Sequence, residues 1–329
     1  MIIVTGGAGF IGSNIVAELN AAGRGDVTVV DWFGTDDKWK NLAKAELDEI
    51  VPPEALDDLL ARRSNDISGI VHMGAISATT EADVDLIVRS NIILTIKLWD
   101  FCVGRGIPFI YASSAATYGD GDAGFDDEMG TDALSKLKPM NPYGWSKHMI
   151  DRRIARIVSE GGAAPPRWAG LKFFNVYGPN EYHKGSMKSV IAHIYPDVAA
   201  DKGVSLFKSH RDDYEDGGQL RDFVYVRDCA KVVRWMLEAD HMPSGLYNIG
   251  TGQARSFADL AGATFTAAGK PAQISYRDMP LEIRDRYQYF TEAKMDRLRQ
   301  AGYREEFFSL EDGVKDYVEN FLGCADPYR

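Results

Sequence analysis

The stretch VTGGAGFIG, residues 4–12, places Gly6, Gly9 and Gly12 three apart between two apolar segments. The segment before it, IIVT (2–5), is short, continuous and β-branched, as suits a strand covered on both faces. The segment after it, FIGSNIVAELNAAG (10–23), has apolar residues at helical spacing and closes on a glycine, a common residue just past a helix end. Residues without Cβ let the backbone approach an anion closely. The helix behind them turns unpaired N–H groups and a positive potential toward it. A second apolar run, VTVVD (27–31), ends in Asp31, nineteen residues after Gly12. A glycine triad alone is a weak signal. Between a strand and a helix, with an acid ending the next strand, it reads as the pyrophosphate turn of a dinucleotide site. Asp31 would accept from the adenosine ribose hydroxyls, which favours NAD. Lys38 and Lys40 follow closely and can neutralise a 2′-phosphate, so NADP stays open beside it.

The alternation continues outward. GIVHMGA (69–75), PFIYASS (108–114) and GLKFFNV (170–176) read as further strands. DVDLIVRSNIILTIKLWDFCVGRG (83–106) and NPYGWSKHMIDRRIARIVSE (141–160) read as the helices between them. The second helix starts Asn141–Pro142, an N-cap followed by proline at the first helical position. Such alternation predicts an α/β fold: a doubly wound parallel Rossmann sheet with a smaller α/β C-terminal substrate lobe. The expected division is 1–174 with 219–244 for the dinucleotide-binding domain, and 175–218 with 245–329 for the substrate domain. In the second half, MKSVIAHIYPDVAADKG (187–203) starts helical, and Pro196 is expected to end or kink it. RDFVYVRDCAKVVRWMLEA (221–239) reads as a strand entering a helix, and GLYNIGTG (245–252) as a strand. TEAKMDRLRQAGYREEFFSLEDGVKDYVENFL (291–322) reads as two helices joined at a glycine.

A net charge of −11 and a pI near 5.1 argue against nucleic acid and anionic membrane as partners, since both repel an acidic surface. Cys102, Cys229 and Cys324 lie far apart without a CxxC pair, and the six histidines show no ligand spacing, so no metal site is expected. The cysteine pattern, the lack of a long apolar span and a strand beginning at the second residue together predict a cytoplasmic protein.

NPYGWSK sets Tyr143 and Lys147 four apart, on one face of the predicted helix. A phenol is a poor base at its reference pKa of about 10, and a neighbouring ammonium favours the phenolate. The same lysine can hold the nicotinamide ribose. ASSAATYG ends the fourth strand at Ser113–Ser114, where a hydroxyl can bond the oxygen being oxidised. A YxxxK pair alone is common; behind a phosphate turn it reads as catalytic. VHMGA (71–75) resembles the loop that passes beneath the adenine and nicotinamide. FFNVYGP (173–179) offers Asn175 as a donor to a substrate phosphate or sugar. His72, inside an apolar strand, reads as a packed core histidine.

With these residues in place the chain resembles the extended short-chain dehydrogenase/reductases that act on nucleotide sugars. Within them it is most similar to the ADP-L-glycero-D-manno-heptose 6-epimerase family of lipopolysaccharide biosynthesis. MIIVTGGAGFIGSNIV, YASSAATYG, FNVYGPNEYHKGSM, RDFVYV and RYQYFTEA carry the resemblance. It implies an isomerase that oxidises carbon 6″ of an ADP-heptose and reduces it from the other face, with a tightly bound, recycled nicotinamide, NADP by family habit. Rotation about an exocyclic bond turns the ketone, and two bases on opposite sides answer that geometry. The resemblance assigns these to Tyr143 and to Lys184 of the HKGSM stretch, with Ser114 and Lys147 assisting. It also implies cofactor contacts from Phe10, Ile11, Asp31, Trp32, Lys38, Met73, Gly74, Ala75, Ile76, Ser77, Val176 and Lys184 beside the glycines. Substrate contacts fall to Ser114, Asn175, Ser186, His193, Phe207, Arg221 and Tyr287; Arg221 makes independent sense as a phosphate fork. The family forms homo-oligomers, commonly pentamers.

The chain departs from the family pattern in three places. An Asn-Asn pair reads Ser90–Asn91, a cofactor-holding lysine aligns with Pro53, and a longer acidic loop, 208–219, precedes Arg221. That loop is expected to face solvent. A nucleotide-sugar dehydratase would carry an acidic pair where Ala115–Ala116 stand, so water elimination lacks its general acid. A UDP-hexose 4-epimerase would share Ser114, Tyr143 and Lys147 but leaves HKGSM without a task. A non-catalytic dinucleotide-binding protein is the rival of another class, and the intact Tyr/Lys pair speaks against it.

Overall fold

The computed structural model describes residues 1–284 and 287–329. In chain order the strands are β1 (Ile2–Thr5), β2 (Val27–Val30), β3 (Glu49–Val51), β4 (Gly69–His72), β5 (Phe109–Ser114), β6 (Trp168–Phe173), β7 (Asn175–Tyr177), β8 (Val204–Phe207), β9 (Leu220–Tyr225), β10 (Gly245–Ile249), β11 (Ala254–Ser256) and β12 (Ile274–Arg277). The helices are α1 (Phe10–Ala21), α2 (Leu56–Arg62), α3 (Val84–Ile87), α4 (Leu94–Arg105), α5 (Thr131–Ser135), α6 (Pro142–Ser159), α7 (Val190–Ala199), α8 (Val226–Glu238), α9 (Phe257–Ala267), α10 (Leu281–Arg284), α11 (Asp296–Gln300) and α12 (Leu310–Tyr317). Among the described residues, no helix is long and apolar enough to cross a membrane.

Seven strands form a wholly parallel sheet, ordered β10-β6-β5-β4-β1-β2-β3. Its strands are buried along nearly their whole length because helices cover both faces, the condition that favours continuous apolar runs over alternating ones. On one face Ile15, Val16 and Leu19 of α1 pack with Val232, Val233 and Met236 of α8. On the other, Leu59 of α2, Leu98 and Trp99 of α4, and Ile150 and Ile154 of α6 close a second core. Strand order reverses between β1 and β4, so their following loops part and leave a crevice at the carboxyl ends, where doubly wound sheets bind ligands.

The structure redraws several boundaries expected from sequence. GLKFFNV is two strands: β6 stops at Phe173, Phe174 buries its ring beside Tyr118 and Phe125, and β7 joins β9 and β11 in a separate three-stranded sheet. The expected domain cut before Gly245 runs through the main sheet. β10 pairs with β6 along all five of its buried residues, whereas β9, counted with the dinucleotide-binding part, lies in the small sheet. Pro196 sits inside α7, which runs on to Ala199. α11 and the last helical segment are separated by residues 301–309 rather than by one glycine. Of the expected acidic loop, residues 210–213 and 215–216 are exposed, while Gly217 and Gln219 are buried.

Candidate active site

The crevice is a cavity of about 1250 Å³ to which the ends of β1, β2, β4, β5 and β6 deliver residues. That exceeds the roughly 300–1,000 Å³ of a site for one small molecule, so two ligands have room side by side. Gly6, Gly9, Phe10, Ile11, Gly12, Asp31, Trp32, Lys38, Met73 to Ser77, Ser114, Tyr143, Lys147, Asn175, Val176, Lys184, Arg221 and Tyr287 all line it.

The glycine turn has no space for side chains. Gly6 adopts φ +66°, and a Cβ there would stand 2.6 Å from the Gly74 nitrogen; one on Gly12 would stand 2.1 Å from the Gly6 carbonyl oxygen. No side chain caps the N-terminus of α1, so its first N–H groups are left for a ligand. At the next strand end the Asp31 carboxylate accepts from the Ala8 amide at 2.9 Å and from the Lys38 ammonium at 2.8 Å. Lys38 also donates to the Trp32 carbonyl at 2.6 Å. The exposed Trp32 indole donates to Glu54 at 2.7 Å. The Lys38 ammonium thus sits between the Asp31 carboxylate and the Trp32 carbonyl.

The loop after β4 is held by buried polar groups. Gly74 donates to the Thr5 hydroxyl at 3.1 Å, and that hydroxyl lies 2.6 Å from His72 Nδ1. His72 Nε2 lies 2.9 Å from Thr95; burial pushes the ring down to about pKa 3, so it stays neutral, as its apolar setting in the sequence predicts. Between α3 and α4 the helix widens into a π-turn, Val88–Ile93. This turn carries the fully buried Asn91, which accepts from the Ile76 amide at 2.8 Å. It donates to the Ile76 carbonyl and to Ser146, each at 3.0 Å. Sequence reading noted Ser90–Asn91 only as a departure. The sequence signal is an asparagine set directly before the apolar run Ile92, Ile93 and Leu94, which must find partners if buried.

Tyr143 and Lys147 stand in the first turns of α6. Asn141 caps this helix by accepting from Gly144 at 2.8 Å. Gly144 itself presses on the turn after β5: a Cβ there would meet the Ala116 carbonyl oxygen at 2.7 Å. Burial raises the Tyr143 phenol, and the Ser114 hydroxyl beside it acts in the opposite sense. Lys147 is buried with no carboxylate within 4 Å among the described residues. Burial pulls it down to about 8 against the opposing pull of Asp151.

Asp151 and Lys172, both fully buried, lie beneath this pair with 2.7 Å between ammonium and carboxylate. Tyr111 and Ser113 donate to the same carboxylate at 2.9 and 2.7 Å, and Lys172 donates to Thr117 at 2.7 Å. A buried ion pair is tolerated when its remaining valences are filled in this way. Across the cleft, Lys184 stands on the turn Tyr182–Met187 with its ammonium 5.2 Å from the Phe10 ring centroid. Burial lowers its pKa, opposed by Glu181. The Arg221 guanidinium lies 5.7 Å from the Phe257 ring centroid and 5.2 Å from that of Tyr287. It donates to the Leu220 and Gln288 carbonyls and has no carboxylate partner among the described residues.

Ser186, His193 and Phe207 are not among the residues that line the cavity, although Ser186 shares its turn with Lys184 and Met187, which do. Ser186 is exposed and its carbonyl is 3.3 Å from His193 Nε2, while Phe207 ends β8 beneath the Arg277 guanidinium. Of the stretch RYQYFTEA, Arg286 lies outside the described residues, as does Asp285 before it.

A parallel sheet with a glycine cradle at its switch point, facing a Tyr–Lys helix across one cleft, defines the class as α/β dinucleotide-binding enzymes. The chain belongs to the NAD dependent epimerase/dehydratase family, whose model matches residues 2–250. It is 47% identical, over 100% of both chains, to an ADP-L-glycero-D-manno-heptose-6-epimerase of Fusobacterium nucleatum. An enzyme of the same name from Nitratidesulfovibrio vulgaris is also 47% identical over 100% of both. Among solved structures, the Helicobacter pylori ADP-L-glycero-D-manno-heptose-6-epimerase superposes with a TM-score of 0.77 at 28% identity, covering 97% of this chain and 95% of that one. A Thermus thermophilus UDP-glucose 4-epimerase in complex with NAD gives 0.73 at 25% identity, covering 98% and 99%.

Proposed function

We propose that the protein epimerises ADP-D-glycero-β-D-manno-heptose at C6″ to the L-glycero form through a 6″-ketone. The observation that carries this reading is the pair of candidate bases, Tyr143 and Lys184, on separate elements lining one cleft. The full-length likeness to relatives of that name supports it. When bound, the nicotinamide supplies the hydride acceptor and donor.

The chain's own residues do the rest. The glycine turn and the uncapped start of α1 hold the pyrophosphate. Asp31, Trp32 and Lys38 hold the adenosine end, Met73 to Ser77 and Val176 wall the nicotinamide end, and Lys147 holds its ribose. Arg221, set between two aromatic rings and with no carboxylate partner among the described residues, takes the substrate diphosphate, with Asn175 and Tyr287 beside it. One base removes the hydroxyl proton as carbon 6″ is oxidised, with Ser114 donating to that oxygen. Rotation about the exocyclic bond presents the other face, and the second base returns a proton to the new hydroxyl. Lys147, as a cation near Tyr143, favours the phenolate this needs.

For the cofactor we read NADP as favoured, because Lys38 stands beside Asp31 where a 2′-phosphate would lie. Pro53 and Glu54 add no second cation, which keeps that preference narrow. Ile93, Trp145 and Met149, exposed on the packed π-turn and α6, support a homo-oligomer. The buried free thiols of Cys102 and Cys229 suit a cytoplasmic setting.

Proton NMR of the heptose incubated with purified protein and no added cofactor tests the reading. Growth of L-glycero signals is expected, with NADP released on denaturation. Unchanged substrate, repeated with NAD and NADP added, would overturn it and turn attention to UDP-hexoses.

A further inference from the structure

We infer that the segment Asp326–Arg329 positions the loop that carries Lys184, a role that rests on the reading of Lys184 as one of two bases. The turn Tyr182–Met187 contains no buried residue and bends at Gly185, whose φ is +55°. A turn without a core of its own takes its shape from what grips its flanks. On the inner side the grip is Glu181, a fully buried carboxylate that accepts from the Gly178 amide at 3.3 Å. It also accepts from the Ser189 amide and hydroxyl at 2.5 and 2.7 Å, and from the Tyr317 hydroxyl at 3.1 Å.

The outer grip comes from the distant segment. The Tyr182 hydroxyl donates to the Pro327 carbonyl at 2.8 Å, and the Tyr182 ring meets Tyr328 edge-on with centroids 5.3 Å apart. The Arg329 amide donates to the Asn180 side chain at 2.9 Å. Asn180 is fully buried at φ +73°, a left-handed backbone that a residue with a side chain holds only where its surroundings fix it. The segment is itself anchored. The Arg329 guanidinium donates to Glu18 at 2.8 Å and to the Asn14 carbonyl at 3.2 Å, both on α1, while Lys44 pairs with Asp326 at 2.9 Å. Asn14 in turn donates to the Pro179 carbonyl at 2.9 Å. The Lys184 loop is thus tied through Arg329 to the helix that starts at the phosphate turn. Tyr143, on α6, has no such tie among the described residues.

This arrangement predicts a selective defect. Misplacing a reacting group by about 1 Å costs on the order of 100-fold in rate. Tyr328→Ala/Arg329→Ala is therefore expected to lower kcat of epimerisation by about 10- to 100-fold while KM stays within about threefold. Tyr328→Phe, which keeps the ring and the backbone, should match the parent. Amide hydrogen exchange supplies a readout that does not need turnover: exchange should quicken in 179–189 and stay unchanged in 142–159. Unaltered exchange in 179–189, or quickened exchange with parental kcat, would overturn the inference. Should the double variant fail to fold, Tyr182→Phe removes a single bond to Pro327, and the same two readouts decide. If the parent protein itself leaves the heptose unchanged, the proposed function fails, and exchange alone decides whether the segment orders the loop.

Discussion

Tyr143 and Lys184 face one cleft from opposite kinds of support. Tyr143 stands on a helix capped by Asn141, with Gly144 pressed on the turn after β5 and the Asp151–Lys172 pair sealed beneath. Lys184 stands on a turn with no buried residue, gripped by Glu181 within and by Tyr328 and Arg329 without. The difference matches the chemistry proposed for them. An oxygen that swings between two positions needs a partner at each, so the turn depends on outside ties for a placement that the helix supplies by itself.

The sharpest way to break this pairing is to remove each base in turn. General acid–base groups typically contribute about 10²- to 10⁴-fold, so Tyr143→Phe and Lys184→Ala should each lower epimerisation by that order. NMR turnover of both variants is the measurement, with retention of bound cofactor as the check on folding. If Lys184→Ala keeps the parental rate, the turn carries no base and the contrast between the two supports loses its functional meaning.

Stability should divide the two regions next. Lys172→Met leaves Asp151 as a buried charge with only Tyr111 and Ser113 donating, and breaking such a pair typically costs about 3–5 kcal/mol. On the exposed turn, Met187→Ala should stay within about 0.5 kcal/mol. Urea unfolding midpoints at unchanged slope test both. A Lys172→Met midpoint near that of the parent would mean that the network beneath the catalytic helix contributes specificity without stability.

How much of this was legible in the sequence follows from the range of each interaction. The phosphate turn, Asp31, and the Tyr143–Lys147 spacing are local patterns, and the structure brings these residues to one cleft. The break at Phe174 was not legible, because GLKFFNV is apolar throughout and only the pairing of β7 with β9 shows where the chain leaves the sheet. The pairing of β10 with β6 across the expected domain cut was not legible for the same reason: a short apolar strand does not announce its partner. Asn91, Lys172 and Arg329 act over distances of 15, 21 and 149 residues from the groups they hold. Ser186, His193 and Phe207 rest on the motif resemblance alone and are not among the cavity-lining residues.

The last expected effect concerns pH. Lys147 is 3% exposed, and burial holds its pKa near 8, below the usual lysine value of 10.5. Between those values the unfolded chain binds a proton that the folded one does not, so the Lys147 contribution to stability rises with pH across that window. Below about pH 8 both states are protonated, and the penalty for burying the charge is fully present. Lys147→Met should therefore stabilise nucleotide-free protein at pH 7 by an amount on the order of 3 kcal/mol, shrinking toward nothing as pH approaches the unfolded lysine value. Lys184 is lowered by burial too, but it keeps more contact with solvent and Glu181 opposes the shift, so Lys184→Met should gain less. Urea titrations at several pH values decide it: an advantage for Lys147→Met that does not change with pH would assign it to packing. An advantage that fades as predicted marks Lys147 as a charge held without a counter-ion among the described residues until a ligand supplies one, and Lys184 as a weaker instance of the same design.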